Sequence, residues 1–243
     1  MITKKYKIAD VSFEVSSYYE YVHKESEDFL TDETPAFSII STKEKIEYER
    51  KTFYKEHKKE IDISNDILES TAVLRMLTLE LLKYNVLLFH GSCVSVDDKS
   101  YLFTAKSGIG KSTHTKNYLK VYKDRAKIIN DDKPFLRIND DSVFVYGTPW
   151  NGKEGTPNNI KSKLNAICVL SRSKENYVEK VFYKDIFHIL LQQVYRPENK
   201  DELSKTLFLL EKLKSLVDFY CLECNAEEES AVISYEGMNN SET

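Results

Sequence analysis

The sequence predicts an α/β fold: a mixed central sheet that carries a glycine-containing loop between a strand and a helix, preceded by a smaller N-terminal α+β portion. Three observations predict it. The run Tyr101-Leu102-Phe103 enters the stretch 105–113, and 113–122 leaves it with helical composition, giving strand, loop and helix in that order. Short apolar runs bounded by turn residues recur on both sides of that unit and alternate with helical patterns. Ahead of them, Tyr6, Ile8, Val11, Phe13 and Val15 alternate loosely, and 36–40 is a second apolar stretch, as strands of a small sheet would be.

Taken in order, residues 43–59 are dense in Lys and Glu and read as either a solvated helix or the outer strands of that small sheet. Ser64 is a good N-cap for a helix whose apolar face holds Ile67, Leu74, Leu77, Leu81 and Leu82; Arg75 within it reads as a surface or ion-paired residue. Residues 86–96 form two strand-like halves pivoting at Gly91, and a turn at Asp97-Asp98-Lys99 makes a hairpin leading into the loop. Beyond the loop helix come strands at 126–130, 136–138, 143–146 and 164–170, helices at 184–195 and 201–217, a strand at 218–224 and a helix at 226–237. A soft boundary near residue 60 separates the N-terminal portion, 1–60, from a core at 61–243, unless both belong to one domain.

The loop itself carries chemistry. Gly108, Gly110, Lys111, Ser112 and Thr113 stand where a phosphate-binding G-x-x-x-x-G-K-[ST] loop wants them, with Ala105 in place of the first glycine. Such a loop works through backbone N–H groups, a helix N-terminus, one lysine and one hydroxyl, so an alanine with negative φ serves at its start. The expected nucleotide-binding set is Ser107, Gly108, Ile109, Gly110, Lys111, Ser112 and Thr113.

Downstream, the apolar run at 126–130 ends in Asp131-Asp132. A carboxylate pair at a strand end after such a loop is what phosphoryl transfer needs: one oxygen ligand for Mg²⁺ and one base near the acceptor hydroxyl. His90 closes an apolar run, where a strand end of an α/β sheet meets the ligand crevice. Residues 146–159 pack three of the chain's seven glycines and two prolines around the only tryptophan, Trp150, and read as a functional loop. Trp150 offers an apolar platform and Asn151, Asn158 and Asn159 amide partners for an extended peptide, while Lys153 or Arg172 would set a cation against a transferring phosphoryl group.

Composition narrows the partners. A net charge of −4 and a pI near 5.8 argue against nucleic acid or an anionic membrane. No apolar run approaches a membrane span, the start lacks the apolar core of a signal peptide, and the four cysteines suit a reducing compartment, so a cytoplasmic protein is expected. Cys221 and Cys224 lack the second pair or histidine that would complete a zinc site and read as strand residues.

Together, His90-Gly91, the hairpin, Ser107-Gly-Ile-Gly-Lys-Ser-Thr113 and Asp131-Asp132 resemble the catalytic core of the HPr kinase/phosphorylase family, whose fold is like that of phosphoenolpyruvate carboxykinase. The resemblance covers residues 86–135 and, in order of elements, extends to about 225. It implies an ATP- and Mg²⁺-dependent kinase with Lys111 on the β- and γ-phosphates and Ser112 on the metal. It also implies Asp131 as the base for the acceptor proton, Asp132 as a metal-linked carboxylate, and His90 beside the pair. The family's E-x-R-G-x-G-like segment is absent, and the loop at 147–153 stands in the comparable region. That loop is more similar to HPr-kinase-like proteins of peptide-modifying systems, which implies a serine or threonine hydroxyl of a peptide or protein as acceptor. A kinase of a small molecule such as an amino acid, and a nucleotide-binding regulatory module without kinase activity, are the rival readings. Asn199-Lys-Asp-Glu, which fails as N-K-x-D in sequence and in place, argues against a regulatory GTPase, and the missing L-S-G-G-Q argues against an ABC-type ATPase.

Overall fold

The computed structural model describes residues 1–58, 62–152 and 158–239, and the chain divides into two compact units, Met1–Tyr84 and Asn85–Thr243.

In the first unit, strands β1 (Ile2–Ile8) and β2 (Val11–Ser17) form an antiparallel hairpin whose turn residues, Ala9 and Asp10, both take positive φ. After a short helix α1 (Tyr21–Glu25), β3 (Phe37–Ile40) lies parallel to β2. The Lys/Glu-rich stretch is a helix, α2 (Lys43–His57), capped by Thr42, whose hydroxyl accepts from Lys45 N–H. It is followed by α3 (Asn65–Leu82), in which Leu68, Leu77 and Leu81 are buried against α1, α2 and β3. This packing ties α3 to the first unit, so the division falls at residues 84/85 and not near 60. Ser64 stands at its N-cap without donating or accepting a capping bond; Asp66 accepts from Ile67 N–H there instead. Arg75 is ion-paired, with Nη2 on Glu49 Oε2 at 2.9 Å.

The second unit is a mixed sheet with helices packed on it. Among the described residues nine strands take part. They begin with β4 (Val86–Leu88), β5 (Ser92–Val96) and β6 (Lys99–Thr104), then helix α4 (Lys111–Tyr122) and β7 (Ala126–Asn130). Next come β8 (Phe135–Ile138), β9 (Val143–Tyr146), β10 (Lys161–Arg172) and β11 (Tyr177–Lys180). Helices α5 (Tyr183–Gln193) and α6 (Lys200–Leu213), strand β12 (Asp218–Cys224) and helix α7 (Glu229–Asn239) complete it. The two halves around Gly91 do not pair with each other: β4 joins β8, while β5 joins β6 and β7. The edge strand β11 escapes the sequence reading because it is largely exposed and shows no apolar alternation.

Strand direction decides where chemistry gathers. β6, β10 and β12 are mutually parallel through β10, and β5 runs antiparallel to both β6 and β7. The C-terminal ends of β6, β7, β10 and β12, together with the start of β5, therefore share one edge of the sheet. In an α/β sheet that is the edge where ligands bind.

The loop helix α4 is held down by its buried face, His114, Thr115, Asn117 and Tyr118. Tyr118 is wholly buried among Tyr101, Phe103 and Tyr235, and its hydroxyl meets Ser234 Oγ at 2.8 Å. Asn117 Nδ2 donates to the carbonyls of Ala226 and Glu227. His114 packs edge-on to Phe103 and meets Ser230 and Ser234 through its two ring nitrogens, each at 3.2 Å. Burial pushes this imidazole down to about 4. Between pH 6.5 and 4 the unfolded chain thus binds a proton that the fold does not, so His114 stabilises at neutral pH and the contribution is lost as pH falls through that window. In urea unfolding from pH 7 to pH 4, the wild type is expected to lose on the order of 2–3 kcal/mol more than His114→Gln. Equal losses would remove His114 as the cause. Cys93, Cys168, Cys221 and Cys224 are free strand residues, and among the described residues no group of three or more His, Cys, Asp or Glu is placed to hold a metal. No helix among them is long and apolar enough to cross a membrane.

Candidate functional site

The loop between β6 and α4 supplies the first part of the site. Lys106, Ser107 and Gly108 are exposed, and Gly108 and Gly110 take φ of +81° and +122°, conformations that glycine adopts without strain. Space around both is open, so glycine serves the backbone path here and not a close contact. Ala105, in the place of the missing glycine, is not among the residues with positive φ. Arg172, at the end of β10, holds the loop from outside: Nε donates to Ile109 O at 3.1 Å and Nη2 to Gly108 O at 2.5 Å. A trans peptide points its C=O and N–H in opposite directions, so fixing the Ile109 carbonyl also fixes the Gly110 N–H facing away from Arg172. Arg172, a candidate by sequence for the cation beside a transferring group, thus binds the loop backbone through Nε and Nη2.

Lys111 opens α4. Its ammonium has one hydrogen bond among the described residues, a long one of 3.4 Å to Ala105 O. Burial pushes its pKa down, and Asp132 and Asp131 act to raise it, so the amine lies within electrostatic reach of both carboxylates. Ser112 is half-buried one residue on.

The carboxylate pair follows β7, and Asn130 shapes the turn that presents it. Its Oδ1 accepts from the N–H groups of Asp132 and Lys133 at 2.9 and 2.7 Å, and its Nδ2 donates to Thr148 Oγ1 at 3.0 Å. Asp131 is buried, at 7% exposure, with Oδ1 accepting from Ser92 Oγ at 2.5 Å. Ser92 in turn lies 2.7 Å from Thr115 Oγ1. The Thr115 hydroxyl also reaches the carbonyls of Lys111 and Ser112, at 3.3 and 3.2 Å. This two-hydroxyl chain ties the helix that follows Lys111 to the carboxylate on the other side of β5. The second oxygen, Oδ2, lies under Gly152, where a Cβ would come within 3.0 Å of it.

Asp132 is bound on both oxygens, to His90 Nε2 at 3.4 Å and to Lys133 Nζ at 2.7 Å. Burial acts to raise its pKa, but the His90 hydrogen bond and the Lys133 charge outweigh that and hold the carboxyl at about 2. His90 is itself fixed by Gln193 at the end of α5, through Nδ1 to Oε1 at 3.0 Å and through its own N–H to the Gln193 carbonyl at 2.7 Å. The structure thus brings together the loop, Lys111, Asp131, Asp132 and His90.

The segment 147–152 closes over the pair. Asn151 Oδ1 accepts from Asp131 N–H at 2.6 Å and from Gly152 N–H at 3.0 Å, so it holds this loop to the site and is not free for a peptide. Asn158 Nδ2 is similarly spent on Ile128 O at 3.1 Å, while Asn159 is exposed and Trp150 half-buried. Lys153 lies outside the described residues. Sequence reasoning missed Ser92, Thr115, Asn130, Lys133, Thr148 and Gln193. Ser92 follows His90-Gly91 directly and Thr115 falls one helical turn after Lys111, so spacing gave a usable signal for those two.

No family model and no curated protein matches this chain. Among solved structures it is similar to the Hpr(Ser) kinase/phosphatase from Coxiella burnetii, at a TM-score of 0.30 and 14% sequence identity, over 52% of this chain and 97% of that one. A score this low carries no argument, and the function has to be read from the residues of the site.

Proposed function

We propose that this chain is a kinase that transfers the terminal phosphoryl group of ATP to a serine or threonine hydroxyl of a peptide or protein. The observation that carries the reading is the convergence, on one sheet edge, of a glycine loop at a helix N-terminus, a half-buried lysine and a carboxylate pair. That lysine is the test of fit for a polyphosphate. A half-buried ammonium with one long hydrogen bond is poorly satisfied, and phosphate oxygens would supply what it lacks. The Ser112 hydroxyl and the ionised Asp132 are hard oxygen donors of the kind Mg²⁺ takes, and would hold it. When bound, Mg²⁺ offsets negative charge on the phosphoryl oxygens.

The chain's own residues do the rest. Lys111 and the loop N–H groups bind and orient the phosphates. Asp131, fixed through Oδ1 by Ser92, keeps Oδ2 to accept the proton of the attacking hydroxyl. His90 and Lys133 keep Asp132 ionised and in place, and Lys133 brings a second cation to the site. The loop at 147–152 limits water over Asp131. The sequence of 146–159, with three glycines and two prolines, favours an extended peptide acceptor over a sealed pocket for a metabolite.

Incubation with γ-labelled ATP and Mg²⁺, against a serine- and threonine-containing peptide library and against free hydroxy amino acids, tests the acceptor. Label on peptides is expected. Label confined to the amino acids would make the chain a small-molecule kinase, and nucleotide binding without transfer to either would leave a regulatory module.

A further inference from the structure

Beside the phosphate loop lies a cavity of about 340 Å³ that the site described above does not use. Ile109, Gly110 and Thr113 form its near wall, Leu170, Arg172 and Ser173 at the end of β10 one side, and Asn225 and Ala226 beyond β12 the other. Its place in the sheet is informative. The loop follows β6; β5 and β7, which carry Ser92 and lead to Asp131, lie to one side of β6, and β10 and β12 lie to the other. Phosphates bound in the loop would therefore face the carboxylates on one side and open into this cavity on the other.

We infer that this cavity is the nucleoside site: the purine nucleoside of ATP lies between Ile109 and Ala226, and so enters from the side opposite the acceptor. The inference rests on the kinase reading and adds to it where the donor's organic part binds. The size is within the range of small-molecule pockets, roughly 300–1,000 Å³. The chemistry fits a flat heteroaromatic ring. Ile109, Leu170 and Ala226 are apolar, and Arg172, with Nε and Nη2 spent on the loop carbonyls, offers its planar face for stacking. The Asn225 amide is used at both ends, donating to Lys174 O at 3.1 Å and accepting from Glu227 N–H at 3.0 Å. Affinity in this cavity thus comes from contact with the ring face more than from reading its edge. Placing the nucleoside here also leaves the Asp131 side clear for an incoming hydroxyl, which in-line displacement requires.

The test separates the cavity from the loop by comparing ATP with tripolyphosphate, which has the phosphates without the nucleoside. Calorimetric titration with Mg²⁺ present is made on wild type, Ala226→Phe and Ser173→Leu, two changes on opposite walls. Ala226 is exposed and Ser173 partly so, and folding of each variant is checked by thermal unfolding. Wild type is expected to bind ATP more tightly than tripolyphosphate, and each variant to lose roughly tenfold or more in ATP affinity while tripolyphosphate stays within about twofold. Unchanged ATP affinity in both folded variants would overturn the nucleoside site and leave the phosphate loop standing. Equal losses for both ligands would also overturn it, since the changes would then act through the loop. Wild type that binds neither ligand would overturn the phosphate reading itself, and this inference with it.

Discussion

Asp131→Asn is expected to lower kcat by about 10²-fold or more while MgATP affinity changes little. The substitution keeps the shape of the side chain and an oxygen for the Ser92 hydroxyl, so the turn set by Asn130 and the bond to Asn151 should survive. What it removes is the capacity of Oδ2 to take a proton. A base near the acceptor acts in the transition state, so its loss appears in turnover and not in the binding of the donor. Steady-state ADP release with a peptide acceptor, measured alongside MgATP binding, reads both quantities. Turnover surviving in Asp131→Asn would move the role to Asp132 or His90, and loss of binding together with turnover would make Asp131 a ligand-holding residue instead.

Lys111→Ala is expected to cut turnover by about 10²–10³-fold, the range for removal of one preorganised charge donor from a transition state. The reason is electrostatic. Asp131 and Asp132 already place two carboxylates within reach of this amine, and a polyphosphate adds further negative charge. Without the ammonium, that charge is offset by Lys133 and whatever cation is bound. The same change should not lower the thermal midpoint, because a half-buried ammonium with one long hydrogen bond contributes little to folding and is costly to bury. A structural lysine would show the reverse pattern, with a lowered midpoint and retained ADP release.

Much of this site is legible in the sequence because its parts are local. Ser107 to Thr113 is a continuous loop whose glycine spacing encodes its own backbone path, and Gly108 and Gly110 take the positive φ that spacing leads one to expect. Asp131 and Asp132 sit at the end of an apolar run that becomes β7, so they are placed by the rule that strand ends gather at one edge, whereas β4, before His90, runs opposite to β10 and falls outside that rule. That His90 would touch Asp132 required the pairing of β4 with β8 and the bridge from Phe89 to Val194, which join segments about 50 and about 100 residues apart and leave no trace in local pattern. The Ser92–Thr115 chain was hidden for the same reason: each hydroxyl is an ordinary buried residue until the fold sets them 2.7 Å apart. Arg172 and Asn151 show a different limit. Type and position marked both as functional, but the fold spends Arg172 Nε and Nη2 on the loop carbonyls and Asn151 Oδ1 on the Asp131 N–H.

Calorimetric titration of MgATP into the wild-type protein and into Lys111→Ala tests most directly the claim that this edge is a nucleotide phosphate site. Saturable binding of one nucleotide per chain that requires Mg²⁺, and that weakens by roughly tenfold or more without the Lys111 ammonium, is the expected result. Equal affinity in the two proteins, or no binding to the wild type, would contradict it.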